Sequence, residues 1–144
     1  DTLTVQTWQG DFWTGLGFGF EIDSIGWINC DYFYNTGDSL TAVQVELPNG
    51  YDGNNTQVFI YYNSINSLAG LYDTDQDGVF DLGAGYETPV GMLVKFIAIS
   101  GDSVNGYNHH ITSDTPVTMS HYETIPNMSG PITHSALEAI LNAL

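Results

Sequence analysis

The chain has 144 residues, enough for one domain with a sizeable core and too few for two ordinary ones. Seventeen Asp and Glu stand against one basic side chain, Lys95, giving a formal charge of −16 and a pI near 4.1; this excludes nucleic acid and anionic membrane surfaces, whose binding needs clustered Lys or Arg. Charged residues are only 12% of the chain, about half the share in an average domain, so the acidity comes from missing cations, which argues against a typical salt-in halophile.

Period-two alternation dominates and helical spacing appears only at the end, which predicts an all-β fold. Thr2–Trp8 sets Leu3 and Val5 against Thr4 and Gln6, a first strand at a sheet edge. In Gly15–Ile22 the residues Leu16, Phe18, Phe20 and Ile22 share one face and glycines the other, leaving room for another backbone or flat rings. Gly26–Tyr34, Leu40–Leu47 and Gln57–Tyr62 read as further strands, separated by turn sequences at 35–38 and 48–55. Val90–Ser100 is apolar on both faces except at Lys95, as a central strand packed on both sides would be. Residues 101–106 close it with a turn, and Thr115–Ile125 resumes the alternation as a last long strand. After the Gly130-Pro131 breaker, Ser135-Ala136-Leu137-Glu138 forms a capping box, and Leu137, Ile140, Leu141 and Leu144 follow at helical spacing. This predicts a short amphipathic helix over 135–144, which is too short to hold in isolation and must bury its stripe on the sandwich, a neighbouring copy or further sequence. About eight mostly antiparallel strands at this spacing predict a β-sandwich, a single domain over 1–144 with a short C-terminal helix.

The strongest local signal is Asp73-Thr74-Asp75-Gln76-Asp77-Gly78-Val79-Phe80-Asp81. Alternate carboxylates in a tight loop aim their oxygens at one point; Gly78 supplies the sharp turn, Val79 offers its carbonyl and Asp81 completes an oxygen cage suited to a hard cation. Without a cation, four carboxylates so close repel one another. This DxDxDGxxD pattern resembles the calcium loops of bacterial thrombospondin type-three repeats and the calcium hairpins of FG-GAP repeats, whose ninth position is also Asp. It differs from the EF-hand, since the twelfth position is Ala84 and no helices flank it. The resemblance spans residues 73–81 and implies a metal site, carrying over no fold or activity. Calcium fits better than magnesium, which favours rigid octahedral sites. At extracellular, millimolar calcium even a weak site fills, and it would staple Leu71-Tyr72 to Leu82-Gly83.

Other groups read as structural. Histidines 109, 110, 121 and 134 lack a metalloenzyme spacing. Gly37-Asp38-Ser39-Leu40 and Gly101-Asp102-Ser103-Val104 resemble the nucleophile block of GDSL hydrolases, but neither has a downstream DxxH partner, and a nucleophile needs its base; both read as turns. Trp8, Phe12, Trp13, Trp27, Tyr32, Tyr34, Tyr51, Tyr61 and Tyr62 are candidates for stacking on sugar rings, and equally for a sandwich core. Lys95 within an apolar strand needs a carboxylate partner, since an unpaired buried ammonium is costly. The expectation is a buried ion pair. The sharper alternative is an intramolecular isopeptide bond to an Asn or Asp, as in some surface pilins, whose glutamate box Glu87-Thr88-Pro89-Val90-Gly91 resembles with a shorter Glu-to-Pro spacing.

Cys30 stands alone, either a small buried apolar residue or a link to another chain. The start at Asp1, the sequons Asn54-Asn55-Thr56 and Asn127-Met128-Ser129, and a single site for trypsin-like proteases lead to an expectation of an extracellular, processed protein. No run approaches the roughly 18 to 20 apolar residues that cross a bilayer, so no direct membrane insertion is expected. The functional expectation is a non-enzymatic, calcium-stabilised structural protein, the subunit of a cell-surface filament, sheath or adhesin. It would self-associate as a homopolymer, with Thr2–Trp8 inserted in a neighbour's sheet edge as one route. The alternative is a carbohydrate-binding module that recognises a cell-surface glycan through surface aromatics.

Overall fold

The computed structural model describes residues 7–8, 26–28, 39–83 and 87–144, which are mostly β and end in one short helix. The larger sheet runs in the order β1 (Thr7–Trp8), β2 (Gly26–Ile28), β6 (Ser67–Leu71), β5 (Thr56–Tyr62), β9 (Leu93–Asp102), β10 (Gly106–Ile111) and β13 (Ser129–Ile132), with β11 (Thr115–Pro116) also on β9. A smaller sheet has the order β12 (His121–Thr124), β4 (Val43–Glu46), β7 (Val79–Asp81), and β3 (Leu40–Thr41) pairs with β8 (Thr88–Pro89). Neither of the two main sheets closes into a barrel. The pairings are antiparallel except β2 with β6 and β12 with β4.

The alternation along β5 and β9 explains the layering. Val58, Ile60 and Tyr62 of β5, with Val94, Phe96 and Ala98 of β9, face the smaller sheet and pack on Val43, Val45, Phe80 and Leu82. Phe59 and Tyr61, with Ile97 and Ile99, face the opposite way and pack on Leu137 and Leu141 of the C-terminal helix, α1 (His134–Asn142). The larger sheet is thus covered on one side by a sheet and on the other by a helix, so its middle strands are apolar on both faces. Each large side chain buried this way contributes about 2 kcal/mol.

The prediction of a β-sandwich with a C-terminal helix matches this architecture, while several boundaries move. Leu40–Leu47 is two strands, because the chain leaves β8 at Ala42 and joins the smaller sheet at Val43. Thr115–Ile125 is also two strands: β11 adds to β9, then a turn at Met119-Ser120 carries the chain to β4 in the other sheet. Ser120 sits in the left-handed region (φ 53°), and its N–H donates to Thr41 Oγ1 at 2.6 Å. Val90–Ser100 becomes Leu93–Asp102 and is central as expected, flanked by β5 and β10. The Gly130-Pro131 pair, read as a breaker, lies within β13 at the sheet edge, where a strand tolerates a missing donor. α1 starts at His134 rather than Ser135, capped by Thr133 Oγ1, which accepts from Ala136 N–H at 3.2 Å. Its Leu137 and Leu141 bury against the larger sheet of this chain, while Ile140 is exposed. Of the predicted first strands, Thr7–Trp8 and Gly26–Ile28 are present; the rest of Thr2–Trp8 and Gly26–Tyr34, all of Gly15–Ile22, and Cys30 lie outside the described residues.

Candidate metal centre

The acidic loop connects β6 of the larger sheet to β7 of the smaller one. Its base is tied by paired backbone bonds between Tyr72 and Asp81 (2.6 and 2.8 Å). Gln76 and Gly78 hold positive φ (57° and 87°), which tightens the turn. Asp73, Asp75 and Asp77 each place one carboxylate oxygen so that all lie within 4.8 Å of one another. This is the only such His, Cys, Asp or Glu group among the described residues. An all-oxygen set of this size suits a hard divalent cation.

Asp73 is the buried member, 8% exposed, and Asp75 and Asp77 are exposed. Its carboxylate accepts from three backbone N–H groups: Asp77 (3.1 Å), Gly78 (2.9 Å) and Gly53 (3.1 Å). The last of these belongs to the β4–β5 turn, so Asp73 joins two loops far apart in sequence. Gly53 is required there, because a Cβ would stand 2.6 Å from the Asp73 carbonyl oxygen. Asn54 Nδ2 donates to Gln76 Oε1 (2.9 Å), and Leu47 N–H to the Gly78 carbonyl (2.9 Å), completing the dock. Residues 48–55, read from sequence only as a turn, are the cradle of the site.

The electrostatics differ within the group. Burial pushes Asp73 up, but the N–H groups of Gly78, Asp77 and Gly53 outweigh it and hold its carboxyl below the ordinary value. Desolvation, the hydrogen bond with Asp73 and the charge of Asp77 all push Asp75 up. The two neighbouring carboxyls are thus shifted in opposite directions, Asp73 down and Asp75 up.

Of the five predicted ligands, Asp73, Asp75 and Asp77 are brought together. Asp81 lies in β7 outside that group, with Oδ1 accepting from Gly83 N–H at 2.8 Å, and Val79 opens β7 opposite Glu46. The other candidates separate. His109 and His110 lie on β10, His121 stacks on Phe96 and contacts Glu123, and His134 is beside Tyr107. Asp102 of the second Gly-Asp-Ser closes the β9–β10 turn as expected. Tyr61 and Tyr62 are buried in the core and are corrected as sugar platforms; Phe12, Trp13, Tyr32 and Tyr34 lie outside the described residues. Among the described residues the exposed aromatics are Tyr72 (59%) and Tyr122 (50%), which sequence reading did not single out because both sit in alternating strand-like runs. Tyr72 lines a 320 Å³ cleft with Asp73, Thr74, Gly53 and Gln57. Partial burial, then Glu46 and Asp77, push the Tyr122 hydroxyl above its ordinary value, so it shares the acidic end. No family model and no solved structure matches the chain.

Proposed function

We propose that the chain is an extracellular, non-catalytic structural protein: a calcium-stapled β-sandwich that polymerises with copies of itself into a cell-surface filament, sheath or adhesin stalk. The observation that supports this best is the joint at Asp73, which ties the β4–β5 turn to the acidic loop and stacks three carboxylates on that joint. Calcium there would act as a fastener between loops, with Val79 and Asp81 as additional oxygen donors if the loop tightens around the ion. The lone protease-sensitive cation, Lys95, sits within the central strand β9, which suits a long-lived external polymer. With a charge of −16, neighbouring copies repel, and divalent cations would screen or bridge them. Electron microscopy of the purified protein in millimolar calcium, beside a sample in excess chelator, tests this. Ordered filaments or tubes that fray on chelation are expected; dispersed particles under both conditions overturn the polymer.

A second reading is favoured by Tyr72, an exposed ring on a cleft that also holds Asp73, Thr74 and Gln57, a combination that stacks on a sugar face and hydrogen-bonds its hydroxyls. In that case the chain is a carbohydrate-binding module. A glycan array run with and without chelator would give calcium-dependent hits lost in Tyr72→Ala; an empty array removes this reading.

A further inference from the structure

Lys95 is the sole Lys or Arg of the chain, and its surroundings are more specific than an ion pair requires. It points to the helix-covered side of β9 but lies beyond the helix, over the ring of Tyr61, its cross-strand partner, with Nζ 5.7 Å from the ring centre. The Tyr61 hydroxyl donates to Asn66 Oδ1 at 2.6 Å, which fixes the ring as a floor. Nζ contacts Asp114 Oδ1 on the far side of β9, next to the β11 residue Thr115 that pairs with Val94. The pair is not fully buried as expected, since the side chains are 22% and 44% exposed.

A third group completes the set. Asn63 follows β5 directly, where the chain enters a 3-10 turn over Asn63–Ile65. Its side chain lies beside the Asp114 carboxylate and, after Lys95, helps hold that carboxyl below its ordinary value, so Asp114 has both the amine of Lys95 and the amide of Asn63 as neighbours. The Asn63 Oδ1 atom is buried with no hydrogen-bond partner. A buried carbonyl oxygen without a donor is costly, and it would be relieved where a proton is delivered to it. An amine, a carboxamide and one bridging carboxylate are the parts of a transamidation.

We propose that Lys95 and Asn63 become joined by an intramolecular isopeptide bond, with Asp114 as the proton carrier. Asp114 takes a proton from the Lys95 ammonium, and the neutral amine attacks Asn63 Cγ, forming the new C–N bond. Asp114 passes that proton to the oxygen of the tetrahedral intermediate and then to its departing nitrogen. The old C–N bond breaks, the second amine proton follows, and nitrogen leaves as ammonium, which returns Asp114 to its carboxylate. Nothing is oxidised or reduced. Asp114 cannot itself be the electrophile, because expelling oxygen from a carboxylate needs a second acid, and no other carboxylate among the described residues pairs with Lys95. The reaction occurs once per chain, so a rate far below that of an enzyme suffices. The bond would close residues 64–94, which include the acidic loop, into a covalent ring across β5 and β9.

The single cation makes the test clean. The purified chain, carrying no added Lys or Arg, is denatured, its intact mass is measured, and it is digested with trypsin. A mass lower than the sequence by one ammonia, resistance to cleavage after Lys95, and a linked Lys95–Asn63 peptide in tandem mass spectrometry are expected. Lys95→Arg, Asn63→Ala and Asp114→Ala should each restore the full mass. Full mass in the unaltered chain with cleavage at Lys95 overturns the proposal. So does loss of water with Lys95 joined to Asp114, or an ammonia loss that persists in Lys95→Arg and therefore arises at Asn49-Gly50 or Asn105-Gly106. A linked peptide that still forms in Asp114→Ala overturns the role given to that carboxylate.

Discussion

Asp73 and Asp102 each accept three hydrogen bonds at the edge of a β-turn, yet they are built differently. The donors to Asp102 are Val104 N–H, Asn105 N–H and Asn105 Nδ2, all from its own turn between β9 and β10. The donors to Asp73 include Gly53, twenty residues away, and two more carboxylates crowd it within 4.8 Å. The first turn is complete in itself. The second is a junction between loops that concentrates like charge, and so has a use for a cation that the first lacks.

The largest effect separating the two is expected from Asp73→Ala. It strands three backbone N–H groups, that of Gly78 buried, and cuts the tie between the β4–β5 turn and the loop. A loss of about 3 kcal/mol follows from donors left without an acceptor. Asp102→Ala exposes its donors to water and should move the urea midpoint far less. Equal shifts for the two variants, measured in chelator, would mean that Asp73 is no more a junction than Asp102.

Calcium should sharpen the contrast next. Saturating calcium at a hundred times its dissociation constant raises the stability of the native state by about 2.7 kcal/mol if only that state binds, read as an increase in thermal midpoint. Asp75→Asn removes one repelling charge, so in chelator it should be as stable as the unaltered chain or slightly more, while its response to calcium largely disappears. Asp102→Asn should respond to calcium like the unaltered chain. A calcium response that survives in Asp75→Asn places the ion elsewhere.

The same contrast explains what was legible in the sequence. The acidic loop was, because its ligands come from one short run whose spacing is local; so was β9, whose unbroken apolar run marks burial on both faces. The partner of that loop was not, since Gly53 and Asn54 look like any turn residues until the fold brings them to Asp73. β6 (Ser-Leu-Ala-Gly-Leu) and β10 (Gly-Tyr-Asn-His-His-Ile) have weak strand propensity and exist because β5 and β9 offer them backbone partners. The break at Met119-Ser120 was hidden for the opposite reason: inward residues on either side keep alternating while the chain changes sheets. Lys95 announced the need for a partner, but Asn63 and Asp114 meet it only through strand register.

The smallest effect concerns pH at Asp102. Its hydrogen bonds from Asn105 backbone and side chain, then from Val104, hold its carboxyl below the ordinary value. A carboxyl whose folded value is depressed binds its proton more readily when the chain unfolds, so it stabilises the fold above the unfolded value of about 3.9. That contribution fades as pH falls through the folded value. Asp102→Asn cannot titrate, and its stability should fall less than that of the unaltered chain as pH drops below about 4. Since the turn is exposed, the difference should be small, visible only in paired urea titrations in chelator with ionic strength held constant. Parallel curves for the two proteins would mean that the turn donors hold the protonated carboxyl as well as the ionised one, and that the self-contained turn owes nothing to charge.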